Sequence, residues 1–185
     1  MRSVFLAFFL FLSACQSWDT RNADSPYYRI PAGSTLTLSK DLNIPAGNAA
    51  VYIQNGQIAA SSGQVRGYDA HCILEMRAIK DVAQPVKADQ FVILKVAQET
   101  RLARADFILL AMNSHNTMIA GKNNDGGPSQ KLHSTLLDLR SERQPEVFRL
   151  TCQRWDDRSY NATPLTVSEI RKTLSDVFTL KLSGT

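Results

Sequence analysis

Val51-Tyr52-Ile53-Gln54-Asn55-Gly56-Gln57-Ile58 is the stretch on which the fold turns. Asn-Gly is the preferred two-residue hairpin loop, because both central positions need positive φ. The flanking residues are rich in β-branched and aromatic side chains, which suit a pleated surface. The stretch therefore predicts two antiparallel strands, with Ile53 opposite Ile58. Upstream, Ile-Pro-Ala-Gly occurs twice, at Ile30–Gly33 and Ile44–Gly47. Pro with Gly marks a turn, and both copies read as strand-entry turns. Between them Leu36 and Leu38 alternate with Thr35, Thr37 and Ser39, the pattern of a half-buried strand. Downstream, His71–Ile79, Gln90–Ala97, Asp106–Met112 and Glu146–Trp155 are further strand candidates. Leu132–Leu139 is ambiguous between strand and helix.

One helix is well marked. Thr166 and Glu169 form a capping box, and Val167, Ile170, Leu174 and Val177 follow at helical spacing. Phe178 to Leu182 then alternates as a closing strand. Residues Asn113 to Gln130 contain four Asn, three Gly and Pro128, and read as a long loop. The expected fold is mainly β (β-rich α+β): an antiparallel sandwich or barrel-like domain with one C-terminal α-helix.

The N-terminus carries the clearest functional signal. Arg2 is followed by the apolar run Val4 to Leu12 and then by Leu12-Ser13-Ala14-Cys15. A basic start, a short apolar segment and small residues before a cut site make an export signal. Leu-Ser-Ala-Cys resembles the lipobox of bacterial lipoproteins. That resemblance implies a signal peptide over 1–14 and a diacylglyceryl and palmitoyl group on Cys15. It further implies a lipid-anchored tether over 15–29 and a single periplasmic domain over 30–185. Gln16, where Asp would retain an inner-membrane lipoprotein, implies the outer membrane. The apolar run is shorter than the roughly 20 residues that span a bilayer. The alternative is cleavage by ordinary signal peptidase and release of a soluble protein. Removing Arg2 with the signal lowers the formal charge from +4 to about +3, a mild excess that selects no partner.

The chain has three cysteines. If lipidation uses Cys15, Cys72 and Cys152 remain, and an oxidising compartment favours their disulfide. Two separate buried thiols are the alternative. If the two strands are antiparallel neighbours with Cys72 opposite Cys152, then Leu74 meets Leu150 and Met76 meets Phe148 on one face. Ile73 meets Thr151 and Glu75 meets Arg149 on the other. Apolar and opposite-charge pairs each add about 0.2–1 kcal/mol to such a register. The other arrangement joins different sheets, or a strand to a loop.

Chemistry is weakly marked. His71, His115 and His133 stand outside any ligand-spaced motif. His115 and His133 bracket the Asn/Gly loop, where Asn123 and Asp125 also lie. Asn123-Asn124-Asp125-Gly126-Gly127 lacks the carboxylate pattern of a calcium loop. No nucleophile motif occurs, so no catalytic residue, cofactor or metal ligand is assigned. Trp18 in the tether suits the headgroup level. Trp155 suits a core edge or a binding surface. Nucleic acid is not an expected partner, since no basic stripe interleaved with aromatics appears.

Two function classes follow. The first is a lipid-anchored binding or accessory module, held to the membrane through Cys15, with an envelope protein or glycan as partner. Its expected ligand or partner loop centres on His115, Asn123, Asp125, His133 and Trp155. The second is an envelope hydrolase, which requires at least two of Glu75, His115, Asp125, His133, Asp156 and Asp157 in one pocket.

Overall fold

A computed structural model of the chain describes residues 21–103, 130–156 and 163–184. The elements in order are β1 (Thr35–Leu38), β2 (Leu42–Ile44), β3 (Ala50–Gln54), β4 (Gln57–Ala59), β5 (His71–Met76), β6 (Gln84–Val86), β7 (Asp89–Ala103), β8 (Gln130–Arg140), β9 (Val147–Asp156), α1 (Val167–Leu174) and β10 (Phe178–Lys181). Eight strands form one antiparallel sheet in the order β10-β1-β7-β8-β9-β5-β3-β4, and β2 pairs with β6 beside it. The sheet curls into a half-barrel, so the barrel-like architecture is the one found.

The Asn-Gly hairpin forms as its residues dictate. Asn55 and Gly56 both have positive φ, 51° and 76°, and Ile53 faces Ile58. Both Ile-Pro-Ala-Gly copies are turns before a strand. Ser34 N donates to Pro31 O and Asn48 N to Pro45 O, with Gly33 and Gly47 at positive φ. That combination is the requirement of a type II turn. Leu132–Leu139 lies wholly inside strand β8, paired with β7 along its length and with β9 as far as Asp138. Gln130, expected at the end of the Asn/Gly loop, is also in β8; the rest of that loop and Asp106–Met112 lie outside the described residues.

The concave face is the core. Leu36, Ile53, Leu74, Phe91, Ile93, Leu137 and Leu150 are fully buried there. Each such side chain contributes about 1.5–3 kcal/mol on burial. Helix α1 packs on β5, β3 and β10. Since β10 and the β3–β4 hairpin lie at opposite ends of the strand order, α1 bridges the open side of the curl. Its buried residues Val167, Ile170 and Leu174 complete the core.

The β5–β9 pairing follows the expected register from Cys72↔Cys152 through Ile73↔Thr151 and Leu74↔Leu150 to Glu75↔Arg149. Cys72 and Cys152 are disulfide-bonded with a Cα separation of 4.0 Å. Closely opposed Cα atoms mark a non-hydrogen-bonded position. The expectation fails one step on. A bulge sets Met76 opposite Val147 rather than Phe148. The displaced Phe148 ring lies under the guanidinium groups of Arg77 and Arg149, 5.2 and 4.4 Å from its centroid. Nor does Arg149 bridge to Glu75. Its Nε donates to Asp138 on β8 at 2.8 Å, while Glu75 accepts from Thr151 Oγ1 at 2.8 Å. Arg149 has a carboxylate directly opposite it on each side, Glu75 on β5 and Asp138 on β8, and it pairs with Asp138.

Residues 21–29, expected as part of the tether, are docked. Val167 N donates to Ala23 O at 3.3 Å, Ser168 Oγ donates to Asp24, and Ala23 and Tyr28 pack against the core.

Candidate functional site

Two regions of the curl carry polar chemistry, one toward each end of β8. Toward its start, Thr100, His133 and Arg154 form a row across β7, β8 and β9. They share the concave face with Thr135, which is opposite Cys152. Thr100 Oγ1 lies 3.1 Å from His133 Nδ1. Arg154 Nη1 donates to Glu169 of α1 at 2.7 Å, and Glu169 in turn accepts from Thr166 N at 2.8 Å. Burial pushes the Glu169 carboxyl up, but the Thr166 amide and Arg154 outweigh it and hold it below its ordinary value. Burial lowers the His133 pKa; Asp156 acts in the opposite direction, and Arg154 and Lys131 add to the lowering. His133 is 4% exposed, and its Nε2 and the Thr135 hydroxyl have no hydrogen-bond partner among the described residues.

His133 and Trp155 are separated by the pleat. Because side chains alternate along β9, Arg154 points to α1 and Trp155 to the convex face. There Trp155 lies against Gly67, whose carbonyl accepts from Trp155 N at 2.9 Å. His71 is on the convex face too. Its Nδ1 donates to Asp69 O at 3.1 Å, which makes Nε2 the acceptor for Gln153 Nε2 at 3.2 Å. Gln153 Oε1 accepts from Ser134 at 3.2 Å, so the chain of bonds ties β5, β9 and β8. Glu75 is on this face as well. Of the candidate acid–base groups, His133 and Asp156 thus share a face and Glu75 does not. Cys15, His115, Asn123, Asp125 and Asp157 lie outside the described residues. Among the described residues no group of three or more His, Cys, Asp or Glu is placed to hold a metal ion.

The second region lies between the start of β7 and the end of β8. A depression of about 560 Å³ is lined by Gln90, Val92, Leu94, Arg140, Glu142 and Arg143, with Asp89 and Ser141 beside them. A bulge between Ile93 and Lys95 interrupts the alternation of β7. Leu94 is left 52% exposed and Val92 41%. The wall is stiff. The Asp89 carboxylate accepts from Ser141 Oγ at 2.6 Å, Gln144 Nε2 at 3.1 Å and Gln90 N at 2.7 Å, and from the Arg143 guanidinium. Burial raises the Asp89 pKa, but the donors from Ser141, Gln144, Arg143 and Gln90 more than offset it and bring it to about 2. The surface therefore combines two exposed aliphatic side chains with flanking charges of both signs on a braced turn.

Sequence reasoning missed this depression, although a signal was present. Phe91-Val92-Ile93-Leu94 is apolar at every position, while a strand with one solvated face alternates. Phe91 and Ile93 are core, and the surplus apolarity belongs to the outward pair. Comparison with family models, with curated proteins and with solved structures yields no match.

Proposed function

We propose that this chain is a lipid-anchored binding module of the bacterial outer membrane, tethered through Cys15 and facing the periplasm. The observation that carries the binding part of this reading is the Val92–Leu94 surface: exposed aliphatic side chains around a depression, rimmed by Arg140 and Glu142. Exposed apolar side chains grouped within a polar rim, rather than scattered singly, recur at interaction sites. The Asp89 staple supports it, since a preorganised surface loses less entropy on binding. An envelope protein suits the surface better than a glycan. Sugar rings pack on aromatic faces, and the lining of this depression is aliphatic and charged.

The anchor rests on Leu12-Ser13-Ala14-Cys15. Among the described residues no helix is long and apolar enough to cross a membrane, and two acyl chains or more are sufficient for stable attachment.

The test is a photoreactive side chain at position 94 in the full-length protein, irradiated in intact cells. A discrete adduct is expected, and Val92→Lys should abolish it while leaving the thermal midpoint unchanged. An adduct that survives Val92→Lys, or no adduct at all, contradicts the assignment of the partner surface.

A further inference from the structure

We infer that the end of the sheet carrying the Thr100–His133–Arg154 row lies against the bilayer, and that the exposed Leu102 at the tip of β7 dips into the headgroup layer. The inference rests on the lipid anchor proposed above and adds an orientation to it.

Three observations converge on this end. The first is reach. Only Gln16 to Thr20 separate Cys15 from the described residues, a span of about 20 Å when fully extended. The second is where that chain docks. Ala23 and Asp24 are bonded to the first turn of α1, and the same turn is tied to Arg154 through Glu169. Tyr28 O then accepts from Gln98 Nε2 at 3.5 Å, two residues from Thr100 on β7. The docked segment thus crosses from the N-terminus of α1 to β7 beside the row. The anchor must leave the domain there, and the opposite end of the sheet lies farther away. Along β8, His133 to Arg140 covers about 23 Å.

The third observation is chemical. Leu102 is 67% exposed, the most exposed large apolar side chain on a strand among the described residues. Arg101 precedes it with a side chain 71% exposed and paired with Glu99 at 3.0 Å, and Lys131, opposite Leu102 on β8, is in register with Asp156 on β9. An exposed leucine bordered by long charged side chains of both signs fits the interfacial layer, where an apolar side chain inserts and charged heads stay among the zwitterionic and anionic headgroups. The Val92–Leu94 depression, at the other end of β7, is then held away from the membrane and open to a periplasmic partner.

The experiment uses the acylated full-length protein in vesicles of phosphatidylethanolamine and phosphatidylglycerol. A fluorophore is attached at Leu102→Cys or at Lys87→Cys, with acylation confirmed by intact mass. Lys87 belongs to the distal end, where it pairs with Asp41. With the ends separated by about 23 Å, headgroup-borne nitroxide should quench the label at 102 about threefold more than that at 87. Equal quenching, or stronger quenching at 87, in acylated protein overturns the orientation and leaves the anchor standing. An unacylated mass overturns both. Concentration-dependent self-quenching at 102 without quenching by lipid places a second copy of the chain on this tip and also overturns the inference.

Discussion

Asp89 accepts from Gln90, Ser141, Arg143 and Gln144, and its role is structural bracing. It joins the start of β7 to the β8–β9 turn through Ser141, Arg143 and Gln144. Hydrogen bonds to a charged group are worth more than neutral ones. Asp89→Asn should therefore cost about 2 kcal/mol in urea unfolding at neutral pH. The pH dependence has a definite sign. The folded pKa is depressed from 3.8 to about 2, so the stabilisation is present above 3.8 and is lost as pH falls toward 2. The gap between wild type and Asp89→Asn should close over that window. A gap independent of pH would show that the carboxylate charge is not what braces the turn. His133 behaves as a buried base. Its folded pKa lies below 6.5, so the unfolded chain binds the extra proton first, and stability falls as pH drops below 6.5. Unfolding midpoints compared at pH 7 and pH 5 should fall in wild type and fall less in His133→Asn. Burial also lowers the His71 pKa, which leaves a residual decline in that variant.

At the scale of the element, the signals that were legible are those contained in a few adjacent residues. Asn55-Gly56 specifies a turn because two consecutive positive φ values exclude most other residues. Thr166 and Glu169 specify the start of α1 because each satisfies the other's backbone amide. Thr166 Oγ1 accepts from Glu169 N at 3.1 Å, and Glu169 accepts from Thr166 N at 2.8 Å. Thr166→Ala should lower stability by about 1 kcal/mol, measured by chemical unfolding; an unchanged midpoint would mean that Arg154 alone secures Glu169. The cysteine register was legible through four consecutive pairs, because a one-residue slip would have turned Leu74 and Leu150 to the outer face. It failed at Met76, where a bulge inserts Phe148. Bulges depend on neighbouring strands, and the carboxylate that draws Arg149 away from Glu75 is Asp138, in the Leu132–Leu139 stretch whose strand character the spacing left open. The same limit applies to the ambiguity of Leu132–Leu139. Its interior position between β7 and β9 settles it as a strand.

Over the described residues the molecule is a curled sheet whose open side is bridged by one short helix and whose curl is cross-linked by the Cys72–Cys152 disulfide. That bond closes a sequence separation of 80 residues, worth roughly 4–5 kcal/mol in the chain-entropy account. It joins β5 to β9 at the middle of the sheet, under the row that holds His133. The candidate site was less legible than the fold. His133 and Trp155 lie close in the paired strands, but the pleat sends them to opposite faces. The exposed pair Val92 and Leu94 was hidden inside a run that read only as a strand. Orientation at the membrane depends on a chain segment docking to α1, which spacing alone does not reveal.

The central claim is an acylated Cys15 carrying a domain closed by Cys72–Cys152. Its most direct test is the intact mass of the full-length protein recovered from a Gram-negative envelope, measured natively and after reduction and alkylation. The account predicts a mature chain beginning at a triacylated Cys15, with neither remaining thiol reactive until reduction. An unlipidated mass beginning downstream of Cys15 would contradict the anchor, and two thiols alkylated before reduction would contradict the disulfide.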